Sequence, residues 1–175
     1  MKLTTVGLDL AKQLFSVHGV DEHGKAVLRK RVSRGKLVEL FAQLPPTLVG
    51  MEACSGAHHW ARELERVGHR VGIMASRFVA PYRKSQKNDG NDAEAICEAV
   101  SRPSMRLVPV KSVEQQALLV LHRVRQGFTS ERTAAINQLR GLLAEFGVVL
   151  PKGRYQLRAH IGAMRGKVGA PAVPQ

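Results

Sequence analysis

An α/β fold, a mixed sheet with helices packed on it and a helical region after it, is predicted by three observations on this 175-residue chain. Strand and helix signals alternate over the first hundred residues, beginning with a three-strand meander. A sustained helical period then takes over near Ser112. The composition is 44% hydrophobic, enough to fill a core and far from that of a disordered chain.

The elements follow in order. Leu3 to Leu8 is an apolar run ending at Asp9, and Leu14 to Val20 is a second. Asp21-Glu22-His23-Gly24-Lys25 reads as a hairpin turn, returning into a strand from Ala26 to Val32. Leu37, Leu40, Phe41 and Leu44 then stand at helical spacing, and Pro45-Pro46 ends that helix. Thr47 to Met51 is a compact apolar run that stops at Glu52. A helix through Trp60, Leu64 and Val67 ends at Gly68, and Val71 to Met74 is a fifth strand. A loop rich in basic residues leads to a helical pattern from Asp89 to Val100, with Ile96 and Val100 on its apolar stripe.

These signals place an α/β domain at 1–102 and a proline-bracketed connector at 103–111. Ser112 and Gln115 open a capping box for a helical region at 112–147, striped by Leu118, Leu121, Val124, Ile136, Leu139, Leu143 and Phe146. Gly127 leaves one long helix or a helical hairpin open. A single helix there would reach about 50 Å at 1.5 Å per residue and has reason to pair with a second copy of itself. From 151 onward there are five basic residues, four glycines, three prolines and no acid, so 148–175 is expected to be a basic, disordered tail.

Charge and composition exclude several classes. Lys and Arg number 27 against 14 Asp and Glu, a net charge of +13, which points to a polyanionic partner and first to nucleic acid. Only 5% of residues are aromatic, so base-stacking platforms are sparse. No run approaches the length of a membrane-spanning helix. Asp9 falls where a secretory signal needs its apolar segment. Cys54 and Cys97 make neither a CxxC pair nor a zinc pattern. A cytoplasmic protein with reduced thiols is expected.

In so basic a chain the placement of the acids is informative. Asp9 and Glu52 each end an apolar strand, where α/β sheets form their ligand sites. Asp89 and Asp92 stand three apart at a helix start, so both project from one face. Taken singly, Asp89 reads equally as a helix N-cap, Asp92 as a residue favoured by the helix dipole, Glu52 as a solvated loop residue and Asp9 as a turn former. Converging, the four offer hard oxygen ligands for Mg2+ or Mn2+. Two such ions about 4 Å apart would clamp the attacking and leaving oxygens of a phosphodiester.

Basic residues flank these positions. Arg77, Arg83, Lys84 and Lys87 lead into Asp89, and Lys12 follows Asp9; all five are candidates for holding nucleic-acid phosphates, against the alternative of a solvated surface. Arg123, Arg125, Arg132 and Arg140 either track a backbone or keep a helix soluble. His58 and His59 are adjacent on a helix and point in different directions, so packing beside Trp60 is favoured over metal binding.

Three segments carry a family resemblance: Val6-Gly7-Leu8-Asp9-Leu10-Ala11-Lys12, Val49-Gly50-Met51-Glu52-Ala53-Cys54 and Lys87-Asn88-Asp89-Gly90-Asn91-Asp92-Ala93-Glu94-Ala95-Ile96. In this order and spacing the chain resembles, to about residue 150, the DEDD transposases, insertion-sequence recombinases of the IS-one-ten type related to the Piv invertases. The resemblance implies an RNase H-like, RuvC-resolvase-like domain in which Asp9, Glu52, Asp89 and Asp92 bind divalent metal. It implies a coiled-coil dimer through the helical region, DNA as substrate and a structured guide RNA as partner. Family members continue into a domain with a nucleophilic serine; this sequence ends before it, and Ser55 and Ser104 do not lie in the corresponding motif. The expectation is therefore a metal-binding transposase domain that does not complete strand transfer alone, with a non-catalytic nucleic-acid-binding remnant as the alternative.

Overall fold

The computed structural model describes residues 2–83 and 89–153 together with 156, 159, 160 and 162; of Asp89 and Gly90 it describes the backbone alone. The chain divides into two compact units, Met1–Ser112 and Val113–Gln175.

The first unit is built on six strands: β1 (Leu3–Asp9), β2 (Leu14–Asp21), β3 (Ala26–Ser33), β4 (Leu48–Glu52), β5 (Arg70–Met74) and β6 (Leu107–Val108). Their order across the sheet is β3-β2-β1-β4-β5-β6. β1, β4 and β5 run parallel, while β2, β3 and β6 pair antiparallel with their neighbours. The β2–β3 turn is held by Asp21 Oδ1, which accepts from the amides of His23 at 3.0 Å and Lys25 at 2.9 Å. The turn's left-handed position is occupied by Gly24, with φ 76°.

Strand alternation divides the apolar residues between two layers. On one face Val6, Leu8, Phe15, Val17, Val49, Met51 and Ile73 pack with α1 (Leu37–Ala42) and α2 (Ala57–Arg66) through Leu37, Phe41, Trp60 and Leu64. Burying each such side chain contributes about 1.5–3 kcal/mol. On the other face α4 (Asp89–Val100) lies across β1, β2 and β4. Its Ile96, Ala99 and Val100 join Met74 and Val79 in a second cluster.

A row of glycines lets α4 lie that close. Gly7 on β1 is in register with Gly50 on β4, and Gly50 with Gly72 on β5. A Cβ on Gly7 would overlap the backbone carbonyl of Ala93, and one on Gly50 would stand 2.7 Å from Val100 Cβ. Cys97, buried against Gly7, donates its thiol to Thr5 O at 3.7 Å. Burial pushes that thiol up to about 11, so it stays protonated at neutral pH.

The mixed sheet and flanking helices match the architecture expected from the sequence, with two local differences. Leu107–Val108, in the stretch read as a connector, forms β6 and pairs with β5. Part of the stretch read as a basic loop is helical: α3 (Ser76–Val79) and a 3-10 turn at Ala80–Tyr82. Both elements are too short to display a period.

In the second unit α5 (Val113–Ala144) is one continuous helix of 32 residues, which decides between the single helix and the hairpin. It ends in a turn at Gly147, φ 73°, whose amide donates to Ala144 O at 2.9 Å. No residue of α5 is buried, and Leu118, Leu121 and Phe128 are exposed by 60%, 66% and 67%. Among the described residues no helix is long and apolar enough to cross a membrane. The expected tail from 148 onward lies mostly outside the described residues.

Candidate metal and nucleic-acid site

The parallel pairing of β1 with β4 brings the first two acids together. Leu8 is in register with Met51, so Asp9 and Glu52, one residue further on each strand, end neighbouring strands about 4.8 Å apart. By alternation both project onto the face that carries α4, since Gly7 and Gly50 face that helix. Asp92, in the first turn of α4, is only 7% exposed on the same side of the sheet. α4 begins at Asp89, whose side chain lies outside the described residues.

A guanidinium joins two of these carboxylates. Arg83 Nη2 donates to Glu52 Oε1 at 3.0 Å, and Arg83 Nε lies 2.7 Å from Asp92 Oδ1. The second contact is an ion pair without hydrogen-bond geometry, because the Nε–H does not aim at the oxygen. Ser76, at the start of α3, donates its hydroxyl to Glu52 Oε2 at 2.7 Å and fixes the carboxylate's orientation. Cys54, just past β4, reports the local field: its thiol is pushed up first by burial and then by the negative charges of Asp9 and Glu52.

The basic candidates part company. Lys12 and Arg77 are exposed, Lys12 in the turn after Asp9 and Arg77 with its guanidinium 4.8 Å from the Phe78 ring centre. Arg83, read from the sequence as a phosphate contact, turns toward the carboxylates of Glu52 and Asp92. Lys84 and Lys87 lie outside the described residues. His59 packs edge-on against Trp60 with ring centres 4.9 Å apart, while His58 Nδ1 accepts from the amide of Lys111 at 3.2 Å. Sequence reasoning missed Ser76 and the inward turn of Arg83. A hydroxyl on a four-residue helix carries no sequence signal, and the direction of an arginine depends on the tertiary fold.

Among the described residues no group of three or more His, Cys, Asp or Glu is gathered closely enough to hold a metal ion. The donors nevertheless suit a hard divalent cation. They are carboxylate oxygens from three elements, and Asp92 Oδ1 is buried without a hydrogen bond. Among the described residues Arg83 places a positive charge against two of these acids, Glu52 and Asp92.

Comparison with known proteins shows the family. The family model DEDD_Tnp_IS110, described as a transposase, matches residues 6–147. A probable family 20 transposase of Pseudomonas aeruginosa is 58% identical over 149 residues, covering 85% of this chain and 44% of the relative. A putative transposase of Sinorhizobium fredii, y4pF/y4sB, is 41% identical over 174 residues, 99% of this chain and 45% of the relative. The transposase for insertion sequence element IS1111A of Coxiella burnetii is 45% identical over 148 residues, 85% of this chain and 41% of the relative. The chain thus spans less than half the length of these curated relatives. With the acidic motifs on one sheet face and the family model matched over most of its length, the chain belongs to the IS110-type DEDD transposase family.

Proposed function

We propose that the first unit is the divalent-metal-binding, nuclease-type domain of a DNA transposase, with Asp9, Glu52, Asp89 and Asp92 as its ligands and Mg2+ or Mn2+ as its ion. The observation that carries this reading is the convergence of Asp9, Glu52 and Asp92 on one sheet face, with a guanidinium between two of them. A bound ion would polarise a phosphodiester and stabilise charge on its attacking and leaving oxygens. Ser76 orients Glu52, and Arg83 places one positive charge between Glu52 and Asp92. Lys12, Arg77, Lys84 and Lys87 are proposed to hold phosphates of DNA and of a structured guide RNA in the bacterial cytoplasm. The share proposed for this chain is metal-dependent phosphodiester chemistry and nucleic-acid binding within a larger recombination reaction. Calorimetry with Mn2+ tests it: Asp9→Asn is expected to weaken binding by about tenfold or more, roughly 1.4 kcal/mol, with an unchanged circular dichroism spectrum. Equal binding by the variant and wild type, or none by either, would favour the non-catalytic remnant.

The second unit is proposed to dimerise through α5. At 1.5 Å per residue the helix is about 48 Å long, and Leu118, Leu121, Val124 and Phe128 along it are exposed. Sedimentation equilibrium is expected to give a dimer that Leu121→Glu converts to a monomer. A wild-type monomer at high concentration sinks this reading.

A further inference from the structure

Strand pairing carries a second set of cations onto the face of the acids. Asp9 is in register with Ser16, Ser16 with Arg31, and His18 with Arg29. Because cross-strand partners share a face, Ser16, His18, Arg29 and Arg31 all project toward α4, as Asp9 does. Between these strands and the start of α4 lies a groove of about 320 Å³, lined by those four residues with Asn91 and Glu94. One end abuts the acids, through Ser16 beside Asp9 and Asn91 beside Asp92; the other opens at β3, the edge of the sheet. At about 30 Å³ per water, it holds the equivalent of roughly ten waters, room for a sugar-phosphate unit.

We infer that this groove is a track for the sugar-phosphate backbone of a nucleic-acid strand, leading to or from the carboxylate site. Two arginines at alternate positions of one strand present guanidinium forks to successive phosphates, and Ser16 and Asn91 add neutral donors. Among the described residues that line the groove there is no Phe, Tyr or Trp, and His18 is its one ring, so recognition is chiefly of the backbone. Glu94 Oε2 lies 3.9 Å from Arg29 Nη2 and pairs with it. Arg29 remains 69% exposed and able to swing to a phosphate. Neither arginine belongs to the basic positions proposed above. The inference rests on the proposed nucleic-acid role for the identity of the ligand, while the location of the track comes from the sheet register and the groove's lining.

The test is fluorescence anisotropy on the full chain, with labelled single-stranded DNA, RNA of the same sequence and duplex DNA, titrated with salt from about 50 to 200 mM. Arg29→Ala/Arg31→Ala is compared with Arg66→Ala/Arg70→Ala, which removes the same charge away from the groove. The groove variant is expected to bind at least one probe about tenfold more weakly. Its salt dependence should be shallower by about 1.4 for a single strand or 1.8 for a duplex. The probe most affected identifies the strand that runs there. Arg29→Lys/Arg31→Lys should restore most of the slope, and Mn2+ binding should be unaltered in every variant. If wild type binds a probe and the groove variant matches it, or loses no more than the control pair, the track is overturned and the nucleic-acid role stands. If wild type binds no probe, the nucleic-acid role itself fails and the track falls with it.

Discussion

Gly7→Ala is expected to cost about 3 kcal/mol or more, at the upper end of the penalty for overpacking. The added methyl would overlap the carbonyl of Ala93, a backbone atom that no rotamer change can move aside. Relief requires lifting α4 off β1, which opens the cluster around Ile96 and Val100. With total stability commonly 5–15 kcal/mol, the loss should appear as a large fall in the urea midpoint. Gly35→Ala, where a Cβ meets nothing within 4 Å, is the matched control and should lie within about 0.5 kcal/mol of wild type. Equal midpoints for the two variants would mean that α4 is not seated on Gly7.

Arg83→Met should be the second large effect, and a conditional one. In metal-free buffer the substitution leaves Glu52 facing Asp92, itself 7% exposed, without the counter-charge between them. Stranding a buried partner costs about 3–5 kcal/mol; with Arg83 28% exposed at its side chain, a loss of about 2 kcal/mol is expected. Combining it with Asp92→Asn in a double-mutant cycle should return a coupling of about 1–3 kcal/mol. Millimolar Mg2+ should then stabilise Arg83→Met more than wild type, since a divalent ion supplies the missing charge and no longer competes with a guanidinium. No loss in metal-free buffer would show that the bridge is not formed in solution. A loss that Mg2+ leaves untouched would count against a metal between these acids.

Much of this was legible in the chain because strands that end on a carboxylate interrupt an apolar run at one visible point. Asp9 and Glu52 were readable on those terms, and α4 begins and ends where its apolar spacing and Asp89 place it. What escaped reading depends on alignment between strands. Gly7, Gly50 and Gly72 are unremarkable singly and become a trough only once β1, β4 and β5 are in register. Arg29 and Arg31 look like solvated residues of a polar strand until pairing with His18 and Ser16 sets them on the side of Asp9. Arg83 followed the same logic in reverse. Its sequence neighbours are basic and suggested phosphate, whereas its neighbours in space are two carboxylates.

The contact between Gly7 and Ala93 has a further consequence. Gly7 lies two residues before Asp9, and Ala93 follows Asp92 directly, so the point where the two backbones nearly touch lies next to both acids. It acts as a spacer block: the gap between a strand-borne and a helix-borne carboxylate is gauged by bare main chain, with no pliable side chain in the stack. Drift elsewhere in the core can be absorbed by rotamers, but that gap cannot be retuned in small steps. Any variant of this domain that keeps its acids must therefore also keep the thinnest part of its sheet.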